Sequence, residues 1–320
     1  MISFAVQAVP DAADWLSVAR RAEALGFAAL GAPDHPGSTL SPFVTLGAAA
    51  AVTSSIALGT AVVNAGVRGP LEIAADAASL DLLSGGRALL GLGAGHTPAE
   101  WAAIGADYPS PSERIVRLEA VVTAVRQLLD GATVDMDGPG FSLSAARLEF
   151  APQRHIPLLV GGNSPSLVRA GAALADIVEV GGLGRTLADG HFHEIRWRPG
   201  QVDRVVDELR QAAGSRRPTL GALVQLVAIT DEPERVARRF LDAASSRQPA
   251  ETLPSVDEVL GAPFVLIGSV SEIATKLDAL RNRWGFARYT IRAPHMDDVA
   301  EVMTFLGTTA ATSYESSSGP

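Results

Sequence analysis

The chain is 320 residues long, 47% hydrophobic and 19% charged, with a formal net charge of -9 and no cysteine. That composition supplies a sizeable core and argues against disorder, while the missing cysteines exclude a disulfide framework, a thiolate nucleophile and a Cys-ligated metal. No Lys/Arg block stands ready to track a phosphate backbone, so no nucleic-acid partner is expected.

Met1-Ile2-Ser3-Phe4-Ala5-Val6 lacks the charged and apolar regions of a signal peptide, and no apolar run reaches the ~18 residues of a membrane span. A soluble, cytoplasmic protein without a membrane partner is expected. The first strand is predicted over 3–9. A helix follows over 12–25, where Trp15, Val18, Ala19, Ala22 and Leu25 recur at helical spacing and Gly26 stands at the C-cap position. The same unit repeats as strand 28–32, helix 42–52, strand 56–63, helix 70–83 and strand 88–93. A helix over 112–129 starts on Ser112 as N-cap, and 133–150, with Asp137-Gly138-Pro139-Gly140 at its middle, reads as a β-hairpin excursion.

Strands resume at 157–160, 177–180, 221–229 and 289–292, with helices after Ser164, Arg198, Asp231 and Ser271, which brings the total to eight strands. Segment 181–199, carrying His191, Phe192, His193, Arg196 and Trp197, has no clear period and is expected to be a long lid-like loop; 248–264 is also irregular. Strands alternating with helices predict a parallel sheet. An open doubly wound sheet would give similar text. The count of eight, and polar residues at the C-terminal strand ends, favour a single (β/α)8 TIM barrel over residues 1–307 with a disordered Ser/Thr/Gly-rich tail over 308–320.

Strand two ends in Ala32-Pro33-Asp34-His35-Pro36, a carboxylate and an imidazole side by side at the rim. Asp34 and His35 are the leading catalytic candidates: His exchanges a proton near neutral pH, and Asp34 could raise its pKa or bind a cofactor ring. Strand three runs through Ala61 and Val62 to Asn64 and a Gly-rich turn; by itself that segment reads more simply as a strand entering a loop. Gly91, Gly93 and Gly95 form G-x-G-x-G, which fails the spacing of a dinucleotide fingerprint. Gly161-Gly162-Asn163-Ser164 is either an anion cradle at a helix N-terminus or a tight turn with a serine cap. The six histidines form no zinc pattern, so no metal is expected. A G-x-S-x-G elbow and a P-loop lysine are also missing.

Taken together these segments resemble the luciferase-like monooxygenase superfamily, within it the branch using the deazaflavin coenzyme F420. The most specific text is Leu58-Gly59-Thr60, Ser84-Gly85-Gly86-Arg87 and Gly91-Leu92-Gly93-Ala94-Gly95; Glu113-Arg114, Arg117-Leu118-Glu119 and Gly161-Gly162 also fit. The resemblance implies a cofactor ring over the end of strand three, a non-prolyl cis bond at Ala61-Val62, and Asn64 near the ring. It implies ribityl and phosphate contacts from Gly93-Ala94-Gly95-His96 and Gly161-Gly162-Asn163, with Asp34 near the ring and His35 as proton donor or acceptor. A homodimer is the assembly it suggests. Only Arg185, Arg196 and Arg198 offer basic groups in the later loops, so a sugar phosphate is not expected; the small-molecule substrate is left as an unsaturated or carbonyl compound. Two alternatives stay open: an enzyme of the same fold using reduced FMN and dioxygen, and a non-catalytic ligand-binding relative.

Overall fold

Eight parallel strands close into a ring in the computed structural model, which describes residues 1–187 and 192–308. They are β1 (Ser3–Gln7), β2 (Ala29–Ala32), β3 (Ala57–Thr60), β4 (Ala88–Gly93), β5 (Leu158–Gly161), β6 (Ile177–Val180), β7 (Thr219–Leu223) and β8 (Phe286–Arg292). Each pairs with the next, β8 pairs with β1 through Ser3↔Arg288 to Gln7↔Arg292, and β3 pairs with β4 through Leu58↔Ala88 and Gly59↔Leu89. Ring closure decides between the two architectures that the alternating text allows. All six residues of β4 are buried, as expected of a strand with helices outside and packed side chains inside.

The helices present one apolar stripe inward. Pro199–Ala213 buries Val202, Val206, Leu209 and Ala213, three to four residues apart. The inward positions of the strands are small on one side of the ring, where Ala5, Ala29, Gly31 and Ala61 stand, and polar on the other, where Glu179, Arg288 and Thr290 stand. No helix among the described residues is long and apolar enough to cross a membrane.

Four local readings differ from the sequence expectation. The helix after β4's loop is capped by Ser110, not Ser112: Ser110 accepts from the Glu113 N–H, Glu113 returns a bond to the Ser110 N–H, and Pro111 takes the first helical position. The segment expected as one strand over 221–229 leaves the barrel at Val224 and Gln225, whose N–H groups bond Thr290 and Phe264 carbonyls; Leu226–Ile229 then pairs in parallel with Val265–Gly268, a strand not foreseen. Segment 181–199 is more than a loop, because Leu183–Thr186 pairs antiparallel with His193–Ile195. Asn163 Oδ1 accepts the N–H groups of Gly181 and Leu183 and fixes where that hairpin starts. His191 and residues 309–320 lie outside the described residues. The hairpin predicted over 133–150 is present as Val134–Gly138 and Phe141–Ala146.

Candidate functional site

The backbone of β2 is buried over its four residues, and the chain emerges at Pro33 to place Asp34 in the rim wall. Asp34 is 4% exposed. Arg68, in the turn after β3, grips it with two parallel bonds, Nε to Oδ2 at 2.7 Å and Nη2 to Oδ1 at 2.9 Å, and the Asn64 N–H adds a third at 3.2 Å. This forked pairing uses both carboxylate oxygens. The Asp34 hydrogen bond raises the Arg68 pKa further still, against the effect of burial. Arg117 on helix Pro111–Leu129 holds the turn itself, donating to the carbonyls of Ala65 at 2.9 Å and Arg68 at 3.3 Å.

Of the two roles the sequence allows Asp34, acting as charge partner to His35 or binding a cofactor ring, the first falls to Glu100: His35 Nδ1 lies 2.7 Å from Glu100 Oε1, while Asn64 Nδ2 donates to Glu100 Oε2 at 2.5 Å. Adjacent residues at a strand end point in different directions, and Asp34 is already saturated by Arg68 and Asn64. Glu100 is 5% exposed, on the short helix Pro98–Ala103 that follows the β4 turn. The only available signal was a single acid in the otherwise apolar Pro98-Ala99-Glu100-Trp101-Ala102-Ala103. The Asn64 side chain completes the chain by accepting the Gly66 N–H at 2.8 Å. The His35 side chain remains 36% exposed, so its ring is held at one nitrogen and open on the other side.

His96 meets the His35 ring edge-on at 5.8 Å, and His193 from the hairpin at 6.2 Å. Desolvation pushes the His96 pKa below 6.5, and the positive charges that His35 and His193 can carry push it the same way. Gly95 shapes this turn. Its φ of +73° is left-handed, and a Cβ there would lie 2.2 Å from Asn64 Oδ1.

The Ala61–Val62 peptide is cis, as the resemblance implied. Around it the strand ends carry almost no side chains: a Cβ on Gly31 would meet Ala61 Cβ at 2.6 Å, and one on Gly93 would meet Val62 Cγ2 at 2.5 Å. Gly161 also packs on Val62, with 3.0 Å available to a Cβ. The structure therefore brings Asp34, His35, Ala61, Val62, Asn64 and the Gly93-Ala94-Gly95-His96 turn to adjoining strand ends. Gly162 and Asn163 stand further along the rim at the end of β5. There Ser164 accepts the Leu167 N–H, so the helix cap is real. A cavity of about 910 Å³ opens from Asn163 and runs between the hairpin and helix Pro199–Ala213; Asp34 and His35 do not line it.

The three late arginines divide. Arg185 and Arg196 both bond Glu194 within the hairpin, while Arg198 donates to the Glu251 and Leu253 carbonyls and serves the fold.

The description of the luciferase-like monooxygenase family matches residues 3–288. The chain belongs to this family. Among curated relatives it is 32% identical over 183 residues to an F420-dependent glucose-6-phosphate dehydrogenase of Beutenbergia cavernae, covering 54% of each chain. It is 32% identical over 158 residues to a 5,10-methylenetetrahydromethanopterin reductase of Methanolobus tindarius, covering 49% of this chain and 47% of that one. The chain thus spans about half the length of these relatives. The solved coenzyme F420 dependent tetrahydromethanopterin reductase of Methanopyrus kandleri superposes with a TM-score of 0.70 at 19% identity, over 97% of this chain and 98% of that one. A monooxygenase from Streptomyces bottropensis gives 0.70 at 22%, over 96% and 98%. At these identities the likeness shows the luciferase-like barrel fold.

A flat, flavin-like tricycle fits the residues present. Glycines at the ends of β2, β4 and β5 let the strands close on the Ala61–Val62 floor with no side chain of their own, which suits the close approach of a planar ring.

Proposed function

We propose that this luciferase-like protein is a coenzyme F420-dependent oxidoreductase that moves a hydride to or from a small organic molecule. The observation that carries the reading is the His35–Glu100–Asn64 chain standing beside the Asp34–Arg68 pair, next to the glycine strand ends that pack on Ala61 and Val62. The F420-dependent names of the relatives support the same cofactor. When bound, a deazaflavin supplies hydride exchange with little reactivity toward dioxygen.

Ala61, Val62 and Asn64 would seat the ring, and the turns Gly93-Ala94-Gly95-His96 and Gly161-Gly162-Asn163 would hold the ribityl and phosphate portions. Asp34 sits under that seat with Arg68 neutralising it, so its part is to fix the Asn64 backbone. His35 carries the proton. With Nδ1–H donated to Glu100, the neutral ring keeps its lone pair at Nε2, and the protonated ring offers Nε2–H. In the reducing direction one substrate atom gains the hydride and its neighbour gains the Nε2 proton, leaving His35 neutral; in the oxidising direction both return. Glu100 stabilises the imidazolium in either direction.

Titrating F420 and FMN side by side against the protein tests the assignment. Clearly tighter F420 binding, and loss or recovery of the reduced form with substrate under anaerobic conditions, supports it. Tight FMN binding together with strict dependence on oxygen overturns it.

A further inference from the structure

The Glu100–His35 chain leaves one strong group of the barrel mouth unused. Arg292 is the last residue of β8, and the register Arg292↔Gln7↔Gly31↔Gly59 puts it on one rung with the ends of β1 and β2 and with β3. Arg288 and Thr290 face the barrel interior. Arg292, two residues beyond Thr290, points the same way because side chains alternate along a strand. Its Nη1 donates to Gln7 Oε1, and the Gln7 Nε2 donates to the carbonyl of Ala61 at the floor. The guanidinium is thereby tied to the ring seat through one glutamine.

Charge matching shows what Arg292 is free to do. The interior acid, Glu179, accepts from Thr290, lies 4.0 Å from Arg288 Nε and attracts Arg292 as well, so one carboxylate faces two guanidiniums and one positive charge is left over. No carboxylate lies within 4 Å of Arg292 among the described residues, and the Gln7 bond uses one of its five N–H donors. Arg292 is exposed at the mouth; nearby protein pushes its pKa down and Glu179 pushes it up, and the guanidinium stays charged. One surplus positive charge with forked donors, exposed at the mouth beside the Gln7 amide, matches one monoanionic carboxylate.

We infer that Arg292 and Gln7 form the carboxylate-binding end of the substrate site, so that the substrate is a small organic acid. Arg292 and the His35 strand are two strand spacings apart, on the order of 10 Å. An acid of a few carbons bridges that span with its reacting carbon toward His35. The substrate assignment rests on the hydride-transfer reading; the anion site does not.

The test is equilibrium binding to the cofactor-free protein, by calorimetry, of crotonate, its neutral counterpart crotonamide and inorganic phosphate. Each is measured on the wild type, Arg292→Gln and the surface control Arg20→Gln, with melting temperature confirming the fold. The expected result is at least tenfold tighter binding of crotonate than of crotonamide, lost in Arg292→Gln and kept in Arg20→Gln. F420 affinity should stay within about threefold across the set. Equal binding of acid and amide, no detectable crotonate binding, or a preference that survives Arg292→Gln overturns the inference. Phosphate binding tighter than crotonate overturns the carboxylate assignment, and a tenfold loss of F420 affinity in Arg292→Gln assigns the arginine to the cofactor instead. If F420 fails to bind while the Arg292-dependent preference for crotonate holds, the cofactor reading falls and the anion site stands.

Discussion

Replacing Arg68 with Met keeps the stem and removes the fork that holds Asp34. The buried carboxylate loses its 2.7 and 2.9 Å bonds and keeps only the Asn64 N–H at 3.2 Å. Breaking a buried pair by removing one partner costs about 3–5 kcal/mol, because the remaining charge is uncompensated. Proton uptake by the stranded carboxyl caps that loss: neutralising an aspartic acid costs about 4 kcal/mol at pH 7 and about 1.5 kcal/mol at pH 5. Arg68→Met should therefore lose about 4 kcal/mol at pH 7 and distinctly less at pH 5, since its folded form binds the extra proton and gains as pH falls. Urea denaturation at both values reads this directly. Asp34→Asn/Arg68→Met, which leaves no buried charge, should recover much of the loss, and the cycle should show strong coupling. A loss at pH 7 below about 1 kcal/mol, or one that does not shrink at pH 5, would refute the claim that Asp34 is a desolvated charge held by Arg68.

His35→Ala should lower turnover by about 10²- to 10⁴-fold with cofactor affinity near normal, the usual contribution of a general acid-base group; wild-type turnover in steady-state kinetics would remove His35 from the proton path. His96 should titrate below 6.5 by NMR. Its folded pKa is depressed, so its stabilising contribution is present above about 6.5 and is lost as pH falls through the folded value; His96→Gln should flatten stability over that window, and an unchanged pH profile would contradict it. Gly95→Ala meets both a left-handed φ and Asn64 Oδ1 at 2.2 Å. A loss of about 1–2 kcal/mol is expected from the backbone alone, read by denaturation, and His35 should loosen because Asn64 braces Glu100.

The barrel was legible because its signal is periodic: each βα unit repeats an apolar strand and an amphipathic helix, and eight of them closed as counted. Of the candidate site, Asp34, His35 and Asn64 stand at strand ends in the text, and the structure gathers them into one hydrogen-bonded cluster. Glu100 was not legible, since nothing in Pro98 to Ala103 says that its one acid turns back across the rim to His35. The Asp34–Arg68 fork escaped for the same reason: 34 residues separate partners that adjacent strands bring together. The strand Val265–Gly268 was hidden by its departure from the barrel, where the apolar run joins Leu226–Ile229 rather than the ring. Ser110 and Ser112 are equivalent as text; the reciprocal bond with Glu113 chooses between them.

A crystal structure of the protein with oxidised F420 shows whether a deazaflavin ring occupies the proposed seat on Ala61–Val62 with His35 beside it. The ring should cover Val62 between the Gly93 and Gly161 strand ends, its phosphate should reach the Gly161-Gly162-Asn163 turn, and His35 should face the open side while staying on Glu100. A ring bound only in the cavity between the hairpin and helix Pro199–Ala213, with the floor empty and His35 turned away from Glu100, would rule out that seat.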